Sequence, residues 1–230
     1  MIGMDGGAST EEITGGIAAP FPRRWLPALL LAGPATTSAG GIAQAQPAPS
    51  PIRFRIMREG SAIGTHRVTF AEEPGGVLTA TTEVEIAVRL AGITVFRMNH
   101  RFREAWAGDQ LREATSRLDR NGTVTEMVVR AEGDGLVVRV PGAAPQRLPA
   151  EAAPLTWWNP RRFTRPVLFD NDNGRPLRLQ WTRSVAPDGV VRWRCTGDSD
   201  SEGTYAADGT WLGWTTRAAE DGSVVTYERV

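Results

Sequence analysis

From Ile52 onward the chain is a succession of short runs in which apolar and polar side chains alternate. Ile52, Phe54 and Ile56 share one face, with Arg53 and Arg55 on the other; His66, Val68 and Phe70 fall together in residues 65–71. Val84, Ile86, Val88 and Leu90 oppose Glu83, Glu85 and Arg89. The longest run, 94–106, sets Phe96, Met98, His100, Phe102 and Trp106 against Arg97, Asn99, Arg101 and Arg103. Period-two alternation in segments rich in Val, Ile, Thr, Phe and Trp predicts strands with one buried face. Turn residues close one run after another: Gly60, Gly75-Gly76, Ala91-Gly92, Asn121-Gly122, Asp134-Gly135, Asp188-Gly189, Asp208-Gly209 and Asp221-Gly222. Such residues tolerate the positive φ of tight hairpin turns. Further strands are expected on both sides of Asn121-Gly122 and over 136–140, 177–185, 190–196, 203–206, 210–217 and 223–230.

No run has helical periodicity beyond a turn or two. The predicted fold is all-β: a single strongly curved antiparallel meander, or incomplete barrel, of about ten strands. A sheet of that size curls or closes, and so makes a groove or cup. Residues 141–176, with Pro141, Pro145, Pro149, Pro154, Pro160, Pro166 and Pro176, interrupt the pattern and are expected to form an irregular cover. Structureless segments of that length in a compact domain are unusual and often functional. A membrane-spanning barrel competes, but its outward face would put many arginines into lipid, and the turns do not alternate short with long.

The first forty-odd residues follow different rules. Arg23-Arg24 precede an apolar stretch, 25–32, and Ala43-Gln44-Ala45 fits a small-x-small cleavage site. Residues 1–45 are therefore expected to be an export leader cleaved near Ala45, residues 46–51 a linker and residues 52–230 one β domain. The paired arginines fit twin-arginine export, although Pro22 and Pro27 flank them poorly; general secretion fits at least as well. The acidic Asp5, Glu11 and Glu12 are odd for a leader and suit a start codon assigned too far upstream. The apolar stretch is shorter than the ~20 residues of a membrane span and is followed by Gly33 and Pro34. The expected location is the periplasm.

Charge removes some partners. Of 26 basic and 26 acidic residues, the leader holds two and three, leaving 24 and 23, a net charge of +1. No basic stripe of the kind that binds nucleic acid follows from such a balance. All basic residues are arginine, which reads as genome composition. The one cysteine, Cys195, alternates with Val191 and Trp193 and reads as a buried, inert thiol; it excludes an intramolecular disulfide.

Candidate chemistry is sparse. His66 and His100, the only histidines, both fall on apolar faces; with a single cysteine they fall short of a zinc site unless carboxylates join them. Glu104 shares the face of His100 but lies two pleats away, roughly 13 Å along the strand. Residues 198–203 begin like a calcium loop, but Gly209 stands where the closing bidentate Glu belongs. Residues 170–174 read as an Asx-type turn. Gly197-Asp198-Ser199 superficially matches a lipase nucleophile block, yet no histidine follows residue 100 to serve as base. No catalytic residue, metal or cofactor is expected, and no two acid–base groups are placed together as an enzyme would need.

The strongest candidate segment is Leu155-Thr156-Trp157-Trp158-Asn159-Pro160 with Arg161, Arg162 and Phe163. Its tryptophans and arginines would suit a lid over a ligand with an anionic head, or a plain plug in the open end of the sheet. The blocks Phe54 to Thr69, Leu90 to Arg101 and Trp157-Trp158-Asn159 resemble an uncharacterised domain-of-unknown-function family of exported bacterial proteins, chiefly proteobacterial. That resemblance implies a periplasmic protein and carries over no site residue. The curved meander is also distantly similar to the lipoprotein-localisation carriers, which hold acyl chains in a half-barrel, though no covering helices are found here. The leading expectation is a hydrophobic or lipid-like ligand in the hollow, lined or gated by Phe96, Met98, His100, Phe102, Trp157, Trp158 and Arg162. The alternative is an envelope assembly protein that docks a protein partner through the Arg-rich sheet face, with no ligand.

Overall fold

The computed structural model describes residues 48–218 and 221–230. The expected leader, its cleavage site near Ala45 and the first linker residues lie outside them. Strands β1 (Ile52–Arg58), β2 (Ser61–Glu73), β3 (Val77–Leu90), β4 (Ile93–Ala107), β5 (Gln110–Arg120), β6 (Thr123–Glu132), β7 (Gly135–Arg139) and β8 (Gln146–Pro149) form an antiparallel meander. Strands β9 (Ala153–Pro154), β10 (Leu168–Phe169) and β11 (Pro176–Leu177) form a separate three-stranded sheet. A second meander follows: β12 (Leu179–Val185), β13 (Val191–Gly197), β14 (Ser201–Tyr205), β15 (Trp211–Arg217) and β16 (Val224–Arg229).

The two meanders join where β16 pairs with β1, Ile56 facing Tyr227, to give one 13-stranded sheet whose edges are β12 and β8. The expectation of about ten strands in one meander is corrected on both counts. Twelve runs carry the alternation, and β8, hidden in the proline-rich segment where Leu148 alone is buried, makes the thirteenth strand. The order changes because the last strand returns to pair with the first, a non-local pairing that no turn signal encodes. The sheet does not close by hydrogen bonds, yet β5 and β15, six places apart in it, line one cavity, so it curls strongly.

Turn chemistry explains the hairpins. Ala91 and Gly92 adopt φ of 48° and 81°, and Asn121 and Gly122 adopt 52° and 88°. Both central residues of each pair are thus left-handed, as a two-residue hairpin with type I′ twist requires. At Asp188, Asp208 and Asp221 the carboxylate instead accepts the N–H two residues on, from Val190, Thr210 and Ser223. The β6–β7 turn is centred one residue earlier than expected, on Gly133 at φ 64°, and β7 begins at Gly135.

The inner face carries three apolar clusters. Phe102, Trp106, Leu111, Met127, Val129 and Phe169 centre one; Phe54, Val68, Phe163, Tyr205 and Trp211 a second; Ile56, Val84 and Val225 a smaller third. The outer face is not a bare arginine surface. Glu83 faces Arg101, Glu113 faces Arg130 and Glu126 faces Arg117 across neighbouring strands, and Arg103 binds Glu73 at 2.5 Å. Those carboxylates neutralise part of the face. No helix among the described residues is long and apolar enough to cross a membrane.

Candidate functional site

The residues after β8 do not arch over the sheet as a lid; they run into its hollow. Asn159 caps a short 3-10 helix, Pro160–Thr164, its side chain accepting the Arg161 N–H at 3.2 Å. This turn drives Phe163 and Arg162 inward, both buried. Phe163 stacks on Trp181 with ring centres 4.4 Å apart, and Trp157 packs against Phe163, Trp181 and Trp214. The Tyr205 hydroxyl donates to the Trp157 carbonyl at 2.9 Å.

Gly203 makes room for this plug, since a Cβ there would lie 2.7 Å from the Trp157 ring and 2.7 Å from the Tyr205 hydroxyl oxygen. Gly203→Ala should therefore destabilise the fold by roughly 1–3 kcal/mol, the usual cost of overpacking. Thermal unfolding of the variant checks this; an unchanged melting temperature would mean that Trp157 is free to move aside.

Beneath the plug lies Glu104, which is fully buried. Trp106 Nε1 donates to one carboxylate oxygen at 2.8 Å and Trp158 Nε1 to the other, while Arg162 Nη1 stands 3.6 Å away. The Arg162 guanidinium lies between two indoles, 3.4 Å from the Trp106 ring centre and 4.4 Å from that of Trp158. Burial raises the Glu104 carboxyl above its ordinary value, opposed first by Arg162 and then by the indole donors. Burial lowers Arg162 to about 10, so it stays charged at neutral pH. Arg165 ties the plug to the β4–β5 turn by donating to the Asp109 carbonyl at 2.6 Å. The plug thus closes the end of the hollow marked by the β2–β3 and β4–β5 turns.

The other end is open. Tips β1–β2, β3–β4, β5–β6 and β15–β16 surround a cavity of about 580 Å³. Its walls include Ile86, Val88, Phe96, Met98, Trp214, Val225 and Tyr227, of which Ile86, Met98 and Tyr227 pack on the core cluster of Ile56, Val84 and Val225. Polar residues line it near the tips, Arg58, Arg120, Asn121 and Thr216. Arg58 is held by Asp221 at 2.5 Å and Ser223 at 2.6 Å. Arg120 forms no ion pair among the described residues; it lies 5.9 Å over the Phe96 ring and 3.9 Å from the Met98 sulfur. The volume is in the range of small-molecule sites, and the walls are mainly apolar.

Two histidines lie deeper, His100 buried and His66 half-buried with both ring nitrogens shielded. His66, Val84 and His100 occupy one row across β2, β3 and β4, so a strand separates the rings. His66 sits among Phe54, Trp211 and Tyr227, and neither of its ring nitrogens has a hydrogen-bond partner. Burial, and secondarily the His100 ring, lowers it to about 3. His100 Nε2 lies 3.0 Å from Ser116 Oγ and 3.5 Å from Asp172. Burial lowers His100 to about 4 and raises Asp172 to about 6.

The sequence pairs no acid–base groups; the folded chain does pair His100 with Asp172, because the 170–174 turn folds back onto β4. Serine, histidine and aspartate meet here at a single ring nitrogen, however, whereas a nucleophile relay needs both. No group of three or more metal-ligating side chains occurs among the described residues. In the 198–203 segment, Asp198 accepts the Arg178 N–H and Asp200 binds Arg194.

The seven side chains expected to line one hollow are therefore divided. Phe96 and Met98 wall the open cavity. Phe102 is core, His100 joins Ser116 and Asp172, and Trp157, Trp158 and Arg162 belong to the plug. Arg120, Trp214 and Tyr227 were missed. Trp214 and Tyr227 become neighbours of Met98 only through the β16–β1 pairing, and Arg120 resembled any hairpin arginine.

Fold and cavity together define an all-β, barrel-like protein whose main sheet is antiparallel, with one plugged and one open end. The chain belongs to the family described as a domain of unknown function, DUF6134, which matches residues 54–230. No curated protein matches it. Among solved structures it is similar to a beta-barrel-like protein of domain of unknown function DUF1849 from Brucella abortus, with TM-score 0.53 and 10% identity over 80% of this chain and 96% of that one. It is also similar to a DUF1089 family protein from Pseudomonas aeruginosa, with TM-score 0.42 and 14% identity over 68% and 90% of the two chains. The first likeness bears on fold alone.

Proposed function

We propose that this is an exported envelope protein that binds a long-chain amphiphile in the open cavity and performs no chemistry on it. The observation that carries the reading is the about 580 Å³ apolar cavity with unpaired Arg120 at its mouth. The acyl chain lies against Ile86, Val88, Phe96 and Met98, and Arg120 holds an anionic head. Export to the periplasm is supported by the Arg23-Arg24, apolar and Ala43-Gln44-Ala45 succession. The docking alternative has less support, because carboxylates from neighbouring strands pair with Arg101, Arg103, Arg117 and Arg130 of the outer face.

Titration with a fluorescent long-chain fatty acid, and with the matching alcohol, tests this. Saturable binding of both is expected. Phe96→Asp should abolish it, because a charge on the wall has no partner. Arg120→Gln should weaken the acid roughly tenfold, the usual worth of a charge-assisted hydrogen bond, while sparing the alcohol. An absence of saturable binding, or binding indifferent to both substitutions, would sink the reading.

A further inference from the structure

We infer that the open end of the sheet is a docking surface for an anionic lipid bilayer. Eight large apolar side chains are exposed among the described residues: Leu90, Ile93, Val95, Val124, Val185, Leu212, Val224 and Val230. Strand directions place the first four and Val224 at the same end of the sheet, on the tips of β3–β4, β5–β6 and β15–β16. Leu90 and Ile93 flank the Ala91-Gly92 turn and, at 70% and 69%, are the most exposed of these side chains. An exposed apolar cluster at one end marks an interaction surface, whereas scattered exposed residues need no explanation.

Charge identifies the occupant. Arg89, Arg97 and Arg120 accompany these tips, and none forms an ion pair among the described residues. Of the carboxylates at this end, Asp221 holds Arg58 and Asp119 accepts the Gly122 N–H at 2.9 Å, while Glu59 and Glu85 are exposed and offset part of the arginine charge. Aliphatic prongs among unpaired arginines suit a surface that accepts insertion and carries negative charge, as an anionic leaflet does. A second copy of the chain fits less well, since a two-fold contact through this end would set the same arginines against one another. The surface also rings the cavity mouth, with Val95 belonging to both. Its use in moving an amphiphile between bilayer and cavity rests on the proposed function; the docking itself does not.

The test is co-sedimentation with sucrose-loaded phosphatidylcholine vesicles, with and without phosphatidylglycerol, of the protein and of Leu90→Asp/Ile93→Asp. Both proteins keep the same N-terminus, so any contribution of residues 1–45 cancels. The unsubstituted protein should bind anionic vesicles, less so as salt is raised, and the double variant should bind at least about tenfold more weakly. Neither residue lines the cavity, so fatty-acid titration of the double variant should be unchanged. Vesicle binding that is absent, or equal in the two proteins, overturns the inference even where fatty acid binds. A dimer in gel filtration that the double substitution dissociates also overturns it, assigning these tips to a contact between copies.

Discussion

His66→Phe should leave stability at pH 7 nearly unchanged and remove about 3 kcal/mol of what the protein loses on acidification to pH 4. The ring lies among Phe54, Trp211 and Tyr227 with no partner for either nitrogen, so its charged form has neither water nor a counter-ion. Its folded value of about 3 is below the ordinary 6.5, so the unfolded chain takes up the proton first. The stability this group confers is complete above pH 6.5 and is lost as pH falls towards 3. Phenylalanine matches the ring in size and suits its aromatic surroundings, and it does not titrate. His100 has the same sign, but it contacts Asp172, whose raised value works the other way: protonating Asp172 below about 6 favours the fold. Glu104, also raised, favours the fold on acidification as well. His66 is thus the group whose contribution is cleanly separable. Urea unfolding of both proteins at the two pH values gives the difference directly; parallel losses would show that the ring protonates without cost inside the fold.

The strands were legible because each signal for them is local. Alternation at Phe54, Ile56, Phe96, Met98 and Phe102, with Asn121-Gly122 and Ala91-Gly92 between runs, locates hairpins without knowledge of the rest of the chain. What joins distant segments was not legible. The pairing of β16 with β1 carries no signal in either strand, yet it brings Trp214 and Tyr227 to Phe96 and Met98 and so builds the cavity. Cross-strand register hid the neutralisation of Arg101, Arg117 and Arg130 for the same reason. In the 155–163 segment, tryptophans beside arginines read as a lid or, more readily, as a plain plug. The deciding fact is Glu104, a carboxylate in the apolar row of β4, whose need for donors draws Trp158 and Arg162 inside. An acid on an inward face was the available clue; burial without donors would be too costly for it to lie there alone.

That dependence makes Arg162→Met the substitution expected to harm the fold most. Removing one member of a buried ion pair leaves the other uncompensated, at a cost of about 3–5 kcal/mol, comparable with the whole stability of many domains. Methionine keeps much of the side-chain volume between Trp106 and Trp158, so the loss is of charge more than of packing. The loss should also depend on pH. Glu104 already titrates above its ordinary value, and without Arg162 it should titrate higher still. A raised folded value confers stability that is present in acid and lost as pH rises, so the variant should lie closer to the unsubstituted protein at pH 5 than at pH 8. Adding Glu104→Leu removes the stranded acid. The double variant should recover most of the stability at pH 8, since buried pairs exchanged for apolar residues of similar size are often neutral or stabilising. A double-mutant cycle by urea denaturation at the two pH values measures the coupling. Losses that simply add, with no pH dependence, would mean that the two tryptophan donors alone satisfy Glu104 and that Arg162 is held by its stacking.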